Sequence, residues 1–137
     1  MIRQLGQVML YVQNQEQSKK FWIEKMGFHV ASELDVGPDL KAIEISPGIS
    51  SETTFVLHNK EAIEKMNPKM FLGTPSLMFF TDDIDELYSD LRKKDITVGD
   101  LITMPQGRVF NFSDDEGNYF AVTEKLKVKR YDASGPE

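Results

Sequence analysis

Residues 7–28 read QVMLYVQNQEQSKKFWIEKMGF and predict a strand followed by a helix. The apolar, β-branched and aromatic residues of 7–12 are typical of a buried strand. Apolar residues at helical spacing follow over 15–26, and Gly27 stands where a helix often ends in a left-handed glycine. The apolar face of the helix consists of Phe21, Trp22 and Met26. A second strand is predicted over 28–33.

Two further strands complete a first module. A turn over 35–39 leads into residues 40–46, where two isoleucines face one side of a predicted strand and Glu44 faces the other. A second turn over 47–52 precedes a strand over 53–58. The order of elements is therefore β-α-β-β-β.

The same order returns in the second half of the chain. A polar segment with a short predicted helix over 60–66 separates the two halves. An apolar strand, an amphipathic helix and several short strands then follow, with DDEGN at 114–118 as a hairpin turn. These elements are a strand at 76–81, a helix at 83–94 and strands at 96–98, 102–104, 109–112 and 119–123.

The chain is thus predicted to be a single α+β domain of two tandem βαβββ modules. Met9 and Phe79 hold matching places 70 residues apart, which is the spacing of an internal repeat. The modules span about 5–58 and 75–124, and residues 59–74 link them. The tail, 125–137, loses the apolar pattern and is either frayed or an arm that contacts a second subunit.

Composition excludes several classes of function. The 137 residues are 40% hydrophobic and 28% charged, which is typical of a globular domain. The net charge of −6 disfavours a nucleic-acid partner, and the absence of cysteine removes disulfides and thiolate sites. The sequence contains neither a long apolar segment nor a signal-peptide pattern, so we expect a cytoplasmic protein with no membrane partner.

Three motifs occur in the order expected for one known superfamily. Residues 7–28 end in Met-Gly-Phe, residues 80–87 read FTDDIDEL, and residues 107–118 read GRVFNFSDDEGN. Together these motifs touch most of residues 5–124. They resemble the vicinal oxygen chelate superfamily, which contains glyoxalase I, extradiol dioxygenases and bleomycin-resistance proteins.

The resemblance implies that curled mixed sheets of the two modules enclose a cavity and that the protein is a homodimer. In metal-dependent members, the first and the last strand of each module contribute one ligand each, which gives four ligand positions. Here those positions fall on Gln7, Val56, Leu77 (Ser76 if the register shifts by one) and Ala121. Three of the four are hydrocarbon side chains, whereas a catalytic zinc site normally keeps three protein ligands. We therefore expect no metal cofactor.

Two other residues are candidates for the site. His58 lies two residues beyond Val56, so strand alternation predicts that it faces the cavity, where its imidazole could act as a general base. The alternative is a half-exposed histidine at a strand end. Arg108 could hold a carboxylate or phosphate group of a ligand, or it could pair with the acids of 114–116.

The favoured hypothesis is a metal-free, glyoxalase/bleomycin-resistance-like protein that binds an apolar or amphipathic small molecule. The predicted binding residues are Gln7, Val56, His58, Leu77, Arg108 and Ala121, and His58 is also the candidate catalytic residue. Two enzymatic alternatives stay open. One is a metal-dependent lyase or dioxygenase with its metal relocated to Glu44, His58 and Gln7. The other is a metal-independent lyase or isomerase with His58 as base.

Overall fold

The computed structural model describes two compact units. Of the described residues, the first unit contains those of 1–75 together with 114–118, and the second contains 76–113 and 119–124. The described residues are 1–35, 37 and 40–124, so the predicted tail at 125–137 lies outside them. Within this part of the chain, no helix has both the length and the apolar character needed to cross a bilayer.

The first unit is a four-stranded mixed sheet with helical segments. Its elements are β1 (Gln7–Val12), α1 (Gln15–Lys20), β2 (His29–Asp35), β3 (Lys41–Ser46), β4 (Thr54–Asn59) and α2 (Lys60–Met66). The strand order is β1-β4-β3-β2, with β1 parallel to β4 and the other pairs antiparallel. The four predicted strands and the short linker helix are therefore present, each with bounds within two residues of the prediction.

Helix α1 begins at a polar N-cap residue and is followed directly by a π-helical turn. The Asn14 side chain accepts a hydrogen bond from the Gln17 backbone N–H at 3.0 Å, which satisfies one of the free donors of the first turn. After Lys20 the backbone changes to a π-helical turn over Phe21–Lys25, so the helix predicted over 15–26 is divided into two segments. Gly27, with φ of 77°, then reverses the chain into β2.

Aromatic side chains fill the core of this unit. Trp22 is fully buried, and its ring centroid lies 5.5 Å from that of Phe55 and 4.9 Å from that of Phe28. The sheet contributes the buried side chains of Leu10, Val12, Ile43, Ile45 and Leu57. Because side chains alternate along a strand, the residues between these core positions lie on the opposite face of the sheet.

The second unit has the same plan. Its elements are β5 (Met78–Thr81), α3 (Ile84–Lys93), β6 (Ile102–Met104), β7 (Gly107–Ser113) and β8 (Tyr119–Glu124), in the strand order β5-β8-β7-β6. Strands β5 and β8 are parallel, like β1 and β4. Its core contains the buried side chains of Ile84, Leu91, Phe110, Phe112, Phe120 and Val122. The α+β class and the two βαβββ modules are confirmed, and neither sheet is closed.

The strand predicted over 96–98 is reduced to one bridge. Val98 pairs with Phe112, flanked by a hydrogen bond from Gly99 N to Asn111 O at 2.7 Å. Strand β7 uses Gly107–Val109 for its pairing with β6, so only its far end remains for this segment. The ladder is therefore too short to form a strand.

The hairpin turn at 114–118 is held by its own side chains and by α1. The Asp114 carboxylate accepts bonds from the backbone N–H groups of Glu116 and Asn118, as expected for turn chemistry. Glu116 in turn accepts bonds from Gln13 N and Asn14 N, each at 2.9 Å. The turn therefore satisfies backbone donors just before α1.

Asp115 in this turn makes the stability of the protein depend on pH. Its carboxylate accepts a bond from Ser18 Oγ at 2.9 Å, but burial raises the pKa of Asp115. The folded chain thus binds this proton more tightly than the unfolded chain, and the contribution to the unfolding free energy falls as pH rises above about 3.9. We expect Asp115→Asn to reduce the fall in unfolding free energy with rising pH, because asparagine has no carboxyl group to ionise. Its amide oxygen can still accept the hydrogen bond from Ser18.

The measurement is urea unfolding between about pH 4 and pH 7. Asp100→Asn, which changes one exposed carboxylate to an amide outside the turn, is the matched control. Identical pH profiles for Asp115→Asn and the parent protein would contradict the prediction.

Candidate functional site

One face of the first sheet gathers most of the polar residues singled out by the sequence. We call it the Glu44 face, and it consists of Gln7, Met9, Tyr11, Ala42, Glu44, Thr54, Val56 and His58. The register places Val56 in the middle, with Met9 opposite it on β1 and Glu44 opposite it on β3. Side chains that are far apart in sequence are thereby brought onto one surface.

Glu44 is the polar centre of this face. Its Oε2 accepts hydrogen bonds from Thr54 Oγ1 at 2.7 Å and from Gln7 Nε2 at 3.2 Å. Its Oε1 accepts a bond from Ser32 Oγ on β2 at 2.9 Å. These hydrogen bonds lower the pKa of Glu44, and the bond from the Thr54 hydroxyl has the largest effect, followed by those from Ser32 and Gln7. The carboxylate is therefore ionised at neutral pH.

His58 lies at the apolar end of the face. Its Nε2 is 3.1 Å from the Met9 sulfur, and its ring stacks on Tyr11 with centroids 5.6 Å apart. Burial lowers the pKa of His58, so the imidazole is neutral at pH 7. Strand alternation thus places His58 on the same face as Val56, and the side chain is half-buried.

The second sheet carries the other two hydrocarbon positions. Ala121 pairs with Met78 across β5 and β8, and both lie on the sheet face opposite the phenylalanine core. Leu77 immediately precedes β5, and its carbonyl accepts a bond from Ala121 N at 3.0 Å. Ser76 and Leu77 both precede the first residue of β5, so strand alternation assigns neither side chain to a face of the sheet.

Arg108 is held away from that face by two acids. Its Nη1 lies 2.9 Å from Asp85 on α3, and its Nη2 lies 3.0 Å from Glu124 on β8. Hydrogen bonds to Asp85 and Glu124 raise the pKa of Arg108. Arg108 therefore forms its ion pairs with Asp85 and Glu124, and the pairing predicted with the acids of 114–116 is wrong. Arg108 belongs to the second unit, whereas Gln7, Val56 and His58 belong to the first.

A divalent metal fits this donor set poorly. Val56 and Ala121 offer no lone pair, and the amide of Gln7 is engaged by Glu44. The relocated set of Glu44, His58 and Gln7 has three members, but the histidine Nε2 contacts a thioether. Across the described ranges, no group of three or more His, Asp or Glu side chains is arranged to hold a metal ion.

The hydrogen-bonded carboxylate of Glu44 at the centre of this face is a feature that the sequence did not predict. The alternation in 40–46 already placed Glu44 opposite two core isoleucines, as the structure confirms. The missing information was the pairing of β3 with β2 and β4, which supplies the hydroxyls of Ser32 and Thr54. A single strand does not reveal its neighbours' register.

Comparisons with known proteins agree with this architecture. The uncharacterized protein YetH of Bacillus subtilis (strain 168) is 33% identical over 125 residues, which cover 90% of this chain and all of that protein. The structure of TnmS3, an antibiotic binding protein from Streptomyces sp. CB03234, matches with a TM-score of 0.76 and 26% identity over 90% of this chain and 97% of that one.

A glyoxalase/bleomycin resistance protein from the same Streptomyces strain matches with a TM-score of 0.70 and 26% identity, over 88% of this chain and 99% of that one. The family model described as Glyoxalase/Bleomycin resistance protein/Dioxygenase superfamily matches residues 4–122. The two βαβββ modules and this match over most of the sequence agree with the resemblance found in the motifs. The chain belongs to the Glyoxalase/Bleomycin resistance protein/Dioxygenase superfamily.

Proposed function

We propose that this chain is a metal-free small-molecule-binding protein and that the Glu44 face carries the ligand. The observation that supports the proposal most directly is the mixture of side chains on that face. Apolar surface from the exposed Met9 and the half-buried Tyr11 lies beside a few fixed polar groups, with the buried Val56 between them, and ligand sites generally combine apolar and polar elements. The similarity to an antibiotic binding protein adds support.

The polar groups of the face suit binding because they are already oriented. Three hydrogen bonds fix the Glu44 carboxylate, and the ring of Tyr11 and the sulfur of Met9 fix the imidazole of His58. A ligand would therefore meet groups whose conformational freedom is already restricted, which lowers the entropic cost of binding. Ala121 remains a proposed binding residue on the second sheet, and a cytoplasmic homodimer remains the proposed state of the protein.

Loss of apolar surface at Met9 should weaken binding. Met9 is 38% exposed, so a ligand on this face would cover it. We expect Met9→Gln to raise the Kd of an aromatic ligand about fivefold, because the apolar contact is lost. The measurement is NMR of 13C-methyl-labelled methionines during titration with a panel of aromatic small molecules, followed by calorimetry of those that bind.

The matched control is Met66→Gln, since Met66 is exposed on α2 and is not part of the Glu44 face. A panel in which no compound perturbs the Met9 methyl resonance would contradict the proposed function. If the Kd of a binder changes equally in Met9→Gln and Met66→Gln, the binding site of that compound lies outside the Glu44 face.

An enzymatic second candidate is favoured by the neutral imidazole of His58, which can accept a proton. This candidate is a metal-independent lyase or isomerase. It predicts that the protein catalyses exchange of the α-proton of a small α-oxo thiohemiacetal with D2O. His58→Gln should abolish the exchange while it changes ligand affinity by less than about twofold. Absence of exchange with the parent protein would remove this candidate.

The metal-free state is tested by titration with zinc, nickel, manganese and iron. We expect no stoichiometric binding by calorimetry and no metal by elemental analysis of untagged protein, because the family positions supply too few donors. One ion per chain, with binding lost in both Glu44→Gln and His58→Ala, would instead establish the relocated metal site.

A further inference from the structure

The Glu44 face has one formal charge. Its other members are amide, hydroxyl, aromatic, thioether and aliphatic side chains, together with a histidine that burial keeps neutral. Two other acidic side chains of the first unit do have cationic partners: Lys41 lies 2.6 Å from Glu16, and Lys19 lies 3.1 Å from Glu33. In the described part of the chain, no Lys, Arg or His forms an ion pair with Glu44.

The donors that hold Glu44 leave its charge in place. Ser32, Thr54 and Gln7 are neutral, so they stabilise the ionised carboxylate without cancelling its negative charge. Oε2 accepts two of the three bonds and Oε1 accepts one. Since a carboxylate offers about four acceptor positions, Oε1 retains capacity for one further donor.

Apolar side chains follow this carboxylate across the sheet: Val56 is buried, and Met9 beyond it is exposed. Val56 on β4 is the register partner of Glu44 on β3, and Met9 on β1 is the register partner of Val56 on its other side. Neighbouring strands are about 4.8 Å apart, so Met9 and Glu44 are separated by roughly 10 Å, about the length of a fused two-ring system. The stacked rings of Tyr11 and His58 continue the apolar surface along the same strands.

We propose that the ligand of the Glu44 face is an amphipathic organic cation, with an amine or guanidinium group on Glu44 and an aromatic or aliphatic body that crosses the buried Val56 and covers Met9. The inference rests on the proposed function and specifies its ligand class. A cationic N–H group supplies both the missing counter-charge and the missing donor. A neutral His58 does not repel such a group. A metal ion is a weaker alternative, because one carboxylate does not supply a cation's ligands.

The experiment compares three naphthalene compounds that differ in one group: 2-naphthylmethylamine, 2-naphthalenemethanol and 2-naphthoate. Each is titrated into the parent protein, Glu44→Gln and Glu64→Gln, with detection by calorimetry and methionine-methyl NMR. Glutamine keeps the acceptor oxygen for Ser32 or Thr54 but removes the charge. Glu64→Gln changes the net charge equally at an exposed position of α2, outside the Glu44 face.

We expect the parent protein to bind the amine about tenfold more tightly than the alcohol, and the carboxylate most weakly. Glu44→Gln should reduce the difference between amine and alcohol to less than about twofold, whereas Glu64→Gln should retain it. If Glu44→Gln does not fold, the Cδ resonance of Glu44 in the parent protein gives the same test. It should shift with the amine and stay in place with the alcohol.

Equal affinity of the parent protein for amine and alcohol would overturn the inference, as would an amine preference that survives Glu44→Gln. Failure of all three probes to bind would overturn it as well. The proposed function is judged separately by the panel directed at Met9. A neutral panel compound that binds this face, with an affinity indifferent to Glu44→Gln, would retain the proposed function and exclude the cationic ligand class.

Discussion

The alternation of side chains in β3 is the constraint on which the first sheet depends. Ile43 and Ile45 are fully buried in the aromatic core around Trp22, so Glu44 between them must lie on the opposite face. A shift of one residue would bury the carboxylate and expose both isoleucines, at a large cost in free energy. Packing of the core therefore fixes the position of the charge.

The same alternation gives the second sheet a different surface. Phe110 and Phe112 are buried in its core, while Phe80 is 61% exposed and Met78 is 50% exposed on the face that Ala121 shares. The position that corresponds to Glu44 in this module is Asn111, in the middle of β7, and its side chain carries no charge. Two modules with one plan thus present one polar-centred face and one largely apolar face.

The sequence predicted most of this fold because strand and helix signals are local. The four strands of the first module, the helix at 60–66 and the turn at 114–118 follow from short-range patterns and are confirmed, whereas the strand predicted over 96–98 is a single bridge and the one predicted from 76 begins at Met78. The π-helical turn after Lys20 depends on how Phe21 and Trp22 pack, and the partners of Arg108 depend on the placement of α3 against β8. Such features require tertiary contacts, so local patterns do not reveal them.

The electrostatics of the Glu44 face favour binding over proton transfer. Hydrogen bonds that lower the pKa of Glu44 make its carboxylate a weaker base and occupy most of its acceptor positions. His58 is neutral, but its Nε2 faces the Met9 sulfur rather than an acid that would stabilise the imidazolium formed on proton abstraction. A fixed negative charge beside apolar surface can orient a ligand without either group changing protonation. The hydroxyls of Ser32 and Thr54 therefore stabilise the ionised form of this carboxylate and fix its orientation on the face.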